Sequence, residues 1–141
     1  MTEVIIKSKS DKNYQNEIST GSHTLVSDIP EKAGGQNSGP NPHELLLGSL
    51  GACTSITLQM FARKREWDLK QVIVKVAEET IDDPKDPTKK LHKITRNIEV
   101  QGKLTQEQLD TLKTIADKCQ IHKLLVGSKD ITTNIKEATA V

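Results

Sequence analysis

Residues 43–64 constrain this chain more than any other stretch. Leu45, Leu46, Leu47, Leu50, Ala52, Cys53, Ile56, Leu58, Met60 and Phe61 fall on almost every face of a helix drawn through them, and a helix apolar all round is a buried helix. Its start is marked by Asn41-Pro42, an N-cap followed by proline at the first helical position, with Glu44 in the first turn where a negative charge suits the dipole. At 141 residues the chain has the size of one domain, so residues 1–141 are read as one. A domain that small does not readily cover such a helix on every side. A partner subunit is therefore the expected source of the remaining cover. Gly48, Ser49, Gly51 and Ala52 would let another backbone approach closely just before Cys53.

The segments around this helix alternate with a period of two or stop for turns. Residues 3–9 carry Val4, Ile5 and Ile6, and residues 14–20 and 22–28 flank Gly21, which predicts a small antiparallel N-terminal sheet. IPEKAGGQNSGPNP, residues 29–42, holds three prolines and three glycines and is read as an irregular loop. Val72, Val74 and Val76 in residues 71–81, and Ile94, Ile98 and Val100 in residues 91–101, predict two strands. The connection DDPKDPTKK between them is expected to be a solvated hairpin loop. A second helix should begin at Thr105, where Thr105 and Gln108 can form a capping box and Leu104 with Leu109 a hydrophobic staple. Leu109, Leu112, Ile115, Ala116 and Cys119 then make a stripe running into the second cysteine, and residues 130–136 read as a last strand. The order is an α+β pattern.

Lys plus Arg (20) balances Asp plus Glu (19), which leaves no surplus positive charge for nucleic acid or an anionic membrane. One Trp, one Tyr and one Phe provide no platform for stacking bases. The start lacks a signal-like apolar run and the apolar segment from Leu45 to Phe61 is interrupted by Gly, Ser, Thr and Gln, so a cytoplasmic protein is expected. In a reducing compartment two cysteines mean buried thiols, metal ligation or redox chemistry. Metal is the weakest of these, because His23, His43 and His92 are scattered and only His122 lies near a cysteine. No cofactor is expected either.

Three segments carry a resemblance: GGQNSGPNPHELLLGSLGACTSITLQMFA (residues 34–62), ADKCQIHKLL (residues 116–125) and ITT (residues 131–133). Together they resemble the OsmC/Ohr family, in wording closest to its OsmC-like subgroup. The resemblance implies antiparallel sheets packed around two central helices in an intertwined homodimer, with a thiol site near the subunit interface. It also implies that Cys53 attacks an organic hydroperoxide, that Cys119 resolves the sulfenic acid into a disulfide, and that a dithiol reduces the disulfide. A second thiol protects the first, because an untrapped sulfenic acid oxidises further.

The family's site also uses an N-terminal arginine and a glutamate ten residues before the first cysteine. Here the arginines are Arg63, Arg65 and Arg96, and His43 occupies the glutamate position with Glu44 one place later. At ~100° per residue Glu44 lies nearly opposite Cys53 and His43 nearer its face. An apolar mid-helix thiol with no cation beside it should have a raised pKa. His122, three residues after Cys119, is the best substitute base or cation, and Gln120 stands where the family usually has proline. Two readings follow. One is a thiol-dependent organic hydroperoxide reductase of oxidative or osmotic stress defence. The other is an OsmC-like dimer with little peroxidase activity that binds a small molecule or senses redox state.

Overall fold

Two antiparallel sheets and three helices make up residues 1–138, which the computed structural model describes. Strands β1 (Ile5–Ser8), β2 (Asn16–Ser19) and β3 (Thr24–Ser27) form a meander in that order, turning at Gly21 between β2 and β3. The loop that follows, irregular apart from a 3-10 turn at Glu31–Ala33, is organised by one residue. Asp28 is buried, and its carboxylate accepts hydrogen bonds from the N–H groups of Ile29, Gln36 and Ser38 and from the Ser38 hydroxyl at 2.6 Å. The Ser38 hydroxyl above all holds the Asp28 carboxyl below its usual range, against the opposing effect of burial.

Helix α1 (Pro42–Lys64) starts as the sequence dictates, with Asn41 capping the N–H of Glu44 while the Glu44 carboxylate accepts the N–H of Asn41. Its buried residues, Leu50, Thr54, Leu58 and Ala62, recur every four positions and so form one line along the helix. Leu46, Ile56 and Met60 are exposed. The chain therefore covers one line of a helix whose composition calls for cover all round.

Strands β4 (Asp68–Asp83) and β5 (Asp86–Lys103) form a two-stranded ribbon far longer than an average strand pair. Pairing runs from Asp68 opposite Lys103 to Asp83 opposite Asp86. Most of DDPKDPTKK is thus strand rather than the expected loop, and the turn is confined to Pro84 and Lys85. Pro87, which cannot donate to a ladder, is accommodated by a shift of register there, and Asp86 holds the N–H and hydroxyl of Thr88. At the far end Gly102 closes the ribbon at φ +142, where an added Cβ would lie 1.8 Å from the Asp68 carbonyl oxygen. Only glycine fits there.

Val72, Val74 and Val76 pair with Val100, Ile98 and Arg96. The small residue Gly51 lets α1 approach β4, since a Cβ there would already stand 3.3 Å from Val76. Helix α2 (Gln106–Ala116) has the expected capping box of Thr105 and Gln108. With Leu58 its Leu112 and Ala116 form the buried core, edged by Phe61, Trp67, Leu69, Ile98 and Leu104, and the Phe61 and Trp67 rings meet edge to face at 5.5 Å.

Two further expectations fail. The amphipathic helix does not run through Cys119. It ends at Ala116, and a separate helix α3 (Gln120–Val126) begins after Cys119, whose backbone is extended (φ −57, ψ 135). The strand expected over residues 130–136 is irregular, with Ile131 and Ile135 85% and 97% exposed. A strand requires a ladder partner, and neither sheet extends to this segment among the described residues.

Candidate functional site

The joint between α2 and α3 lies against the middle of α1, and both cysteines are there. Cys53 is half-buried on α1 and Cys119 is fully buried at the joint, and both thiols are free. Burial pushes the Cys53 thiol up, but the Cys119 thiol and the backbone N–H groups of Ile121 and Gln120 outweigh it, while the nearby Thr57 hydroxyl donates to the Cys53 carbonyl at 2.7 Å. The net result is a thiol held below its ordinary value. The sequence led to the opposite expectation because it held no sign that a helix starts beside Cys53. Backbone N–H groups at that start do what a nearby cation would otherwise do.

Cys119 is the N-cap of α3, and its sulfur accepts the N–H of His122 at 3.4 Å. The His122 ring turns to Arg96, whose Nη2 lies 3.3 Å from Nδ1. Since a guanidinium only donates, Nδ1 is the acceptor in this contact. Arg96 Nη1 donates to the Thr54 hydroxyl at 3.0 Å and Nη2 to Asp117 at 2.7 Å, with the arginine side chain only 11% exposed. Sequence reasoning passed over Arg96, although a signal was present. In the row Ile94, Arg96, Ile98, Val100 a charged residue takes the place of an apolar one.

His43 and Glu44 lie elsewhere. His43 is exposed and bonds the Glu78 carboxylate through Nδ1, while Glu44 is engaged in the capping box. Neither is among the groups that act on the Cys53 sulfur. Among the described residues no three His, Cys, Asp or Glu side chains come together as metal ligands. A cavity of about 450 Å³ is bounded by Leu50, His92, Ile94, Arg96, His122, Leu125 and Val126, apolar walls with a basic end, and shares Arg96 and His122 with the surroundings of the thiol pair.

Residues 35–134 match the family described as OsmC-like protein. The chain belongs to the OsmC-like family. Solved OsmC-like structures share its fold at low identity. An OsmC-like protein from Mycoplasma pneumoniae superposes with a TM-score of 0.73 at 15% identity, over 90% of this chain and 88% of that one. An organic hydroperoxide resistance protein from Legionella pneumophila gives 0.64 at 20% identity over 90% and 91%. The organic hydroperoxide resistance protein of Bacillus subtilis gives 0.59 at 21% identity over 90% and 91%. Among curated proteins no sequence matches this chain.

Against the OsmC-like pattern, Gln120 has a physical consequence. It is the first residue of α3, where proline fits any helix, and the extended Cys119 before it is already in the conformation that proline demands. Gln120 keeps an N–H that proline would lack, and that N–H is one of those holding the Cys53 thiol down. Gln120→Pro should therefore fold normally yet move the pH midpoint of the Cys53 alkylation rate upward. Alkylation rates measured across pH on the two proteins check this.

Proposed function

We propose that this protein is a thiol-dependent organic hydroperoxide reductase in which Cys53 is the peroxidatic and Cys119 the resolving residue. The observation that carries the reading is the free, fully buried Cys119 at the α2–α3 joint against α1, beside a Cys53 thiol whose ionisation its neighbours favour. The Cys53 thiolate attacks the distal peroxide oxygen, the O–O bond breaks, and the alkoxide leaves and is protonated to the alcohol. Cys53 is then a sulfenic acid. The Cys119 sulfur attacks the Cys53 sulfur, the S–S bond forms, the S–O bond breaks, and the oxygen leaves as water with the Cys119 proton. An external dithiol returns both thiols by giving two electrons and two protons.

The cavity walls Leu50, Ile94, Leu125 and Val126 suit the carbon chain of an organic hydroperoxide better than hydrogen peroxide. The exposed Leu46, Ile56 and Met60 on α1, and an edge-bearing N-terminal sheet, support a homodimer of one-domain subunits. A cytoplasmic setting supplies the dithiol that the cycle needs. One observation favours the second reading, a dimer that senses redox state or binds a small molecule without rapid turnover. No charged side chain is among the groups acting on the Cys53 sulfur, so its activation rests on neutral donors alone.

The test is stoichiometric. Reduced protein given one equivalent of an organic hydroperoxide should lose both free thiols within seconds, lose about two hydrogen masses, and yield a Cys53–Cys119 linked peptide on digestion. Retention of both thiols after minutes would reject the peroxidase reading.

A further inference from the structure

Arg96 does not touch the reacting sulfur, yet it stands at the one place where every element of the thiol site meets. It projects from β5 at a register position opposite Val76, in a row otherwise made of Ile94, Ile98 and Val100. A guanidinium in such a row must be satisfied by polar partners. Its partners are Thr54, the residue after Cys53 on α1, and Asp117 and His122, which bracket Cys119. Thr54 is itself fully buried and donates to the Leu50 carbonyl at 2.7 Å, so it is a fixed anchor rather than a mobile hydroxyl.

We infer that Arg96 is the positioning residue of the thiol pair, tying the turn of α1 that bears Cys53 to both sides of the α2–α3 joint. The inference rests on the thiol-redox reading of this site and names the group that makes its geometry durable. The backbone bonds of the joint are all local: the N–H groups of Asp117, Lys118 and Cys119 bond to the carbonyls of Thr114, Ile115 and Ala116, and the Cys119 carbonyl accepts the N–H of Lys123. None of them ties the joint to α1, which is what Arg96 does. Loosening the joint would move Cys119 together with the N–H groups of Gln120 and Ile121, which act on one sulfur. A planar fork holding two groups with one nitrogen and a third with the other is work that lysine cannot do.

The test separates positioning from both folding and peroxide chemistry. Reduced wild type, Arg96→Lys and Asp117→Asn are treated with diamide, an azo oxidant that takes two electrons and two protons from the thiol pair, and closure of the Cys53–Cys119 disulfide is timed. The pH dependence of Cys53 alkylation and the melting temperature are measured alongside. Arg96→Lys should close about tenfold more slowly and be half-alkylated about one pH unit higher. Asp117→Asn, an exposed substitution that keeps an acceptor, should shift both in the same direction by about a third as much. Closure and alkylation within about twofold of wild type in a folded Arg96→Lys would overturn the inference, including the case where only the melting temperature falls. If Arg96→Lys does not fold, Asp117→Asn decides: closure and alkylation indistinguishable from wild type would overturn the inference. Because diamide needs no peroxidase, wild type that closes with diamide but ignores hydroperoxide would sink the proposed activity and leave this inference standing.

Discussion

Cys53→Ser is expected to reduce organic hydroperoxide consumption, measured with a dithiol in excess, by at least about a thousandfold. A serine hydroxyl at this position has neither the ionisation nor the soft sulfur that attacks an O–O bond. Every donor that favours the thiolate would remain in place, so the loss would belong to the sulfur itself. Cys119→Ser should behave differently. Its Cys53 would still be oxidised once per chain, but with no thiol to resolve the sulfenic acid turnover would stop, and a second equivalent of peroxide would carry Cys53 to the sulfinic acid. Mass spectrometry distinguishes the two, showing a Cys53→Ser protein of unchanged mass and a Cys119→Ser protein gaining about two oxygen masses. Because burial loses to hydrogen bonding at Cys53, wild-type rates should rise with pH and level off below the pH typical of a free thiol. Wild-type consumption equal to that of Cys53→Ser would leave only the sensing or binding reading.

The largest effect on stability is expected at Leu58. It is fully inaccessible, lies on the buried line of α1, and packs against Leu112 and Ala116 of α2. Leu58→Ala removes most of a side chain that no flexible neighbour can replace, at a cost of roughly 2–5 kcal/mol. Against a total of about 5–15 kcal/mol for an ordinary domain this is a large share. Urea unfolding monitored through Trp67, which borders the same cluster, should show a lower midpoint with an unchanged slope. A loss below about 1 kcal/mol would mean that stability resides outside the cluster around Leu58.

Where sequence signals were local, they were legible. Asn41-Pro42, the Thr105 capping box and the valine alternation of β4 each placed an element boundary or face correctly, because capping and periodicity act over a few residues. The α+β class followed from their order. The length of the β4–β5 ribbon was hidden because Asp, Lys and Thr read as loop residues, whereas on a two-stranded ribbon with two wet edges they pair without penalty. The break between α2 and α3 was hidden for another reason. Ala116 and Cys119 continue an apolar stripe, and Gln120 occupies the position where a proline would have announced a new helix. Within the site, the two cysteines were identified from the family's motifs. The neighbours that tune them could not be, since the donors at Cys53 are backbone groups, which carry no residue identity. Arg96 was visible only as a charge in an apolar row.

The ribbon has one more consequence, for the order in which the chain assembles. It can zip outward from Pro84 and Lys85 through contacts that are close in sequence, without waiting for either helix. Cys53 and Cys119 are 66 residues apart, and the pairing of Asp68 with Lys103 short-circuits 35 of them. The loop left to close between the thiols is about half as long, which lowers its entropic cost by roughly 0.7 kcal/mol. The two sulfurs thus meet late, on a path shortened by the hairpin.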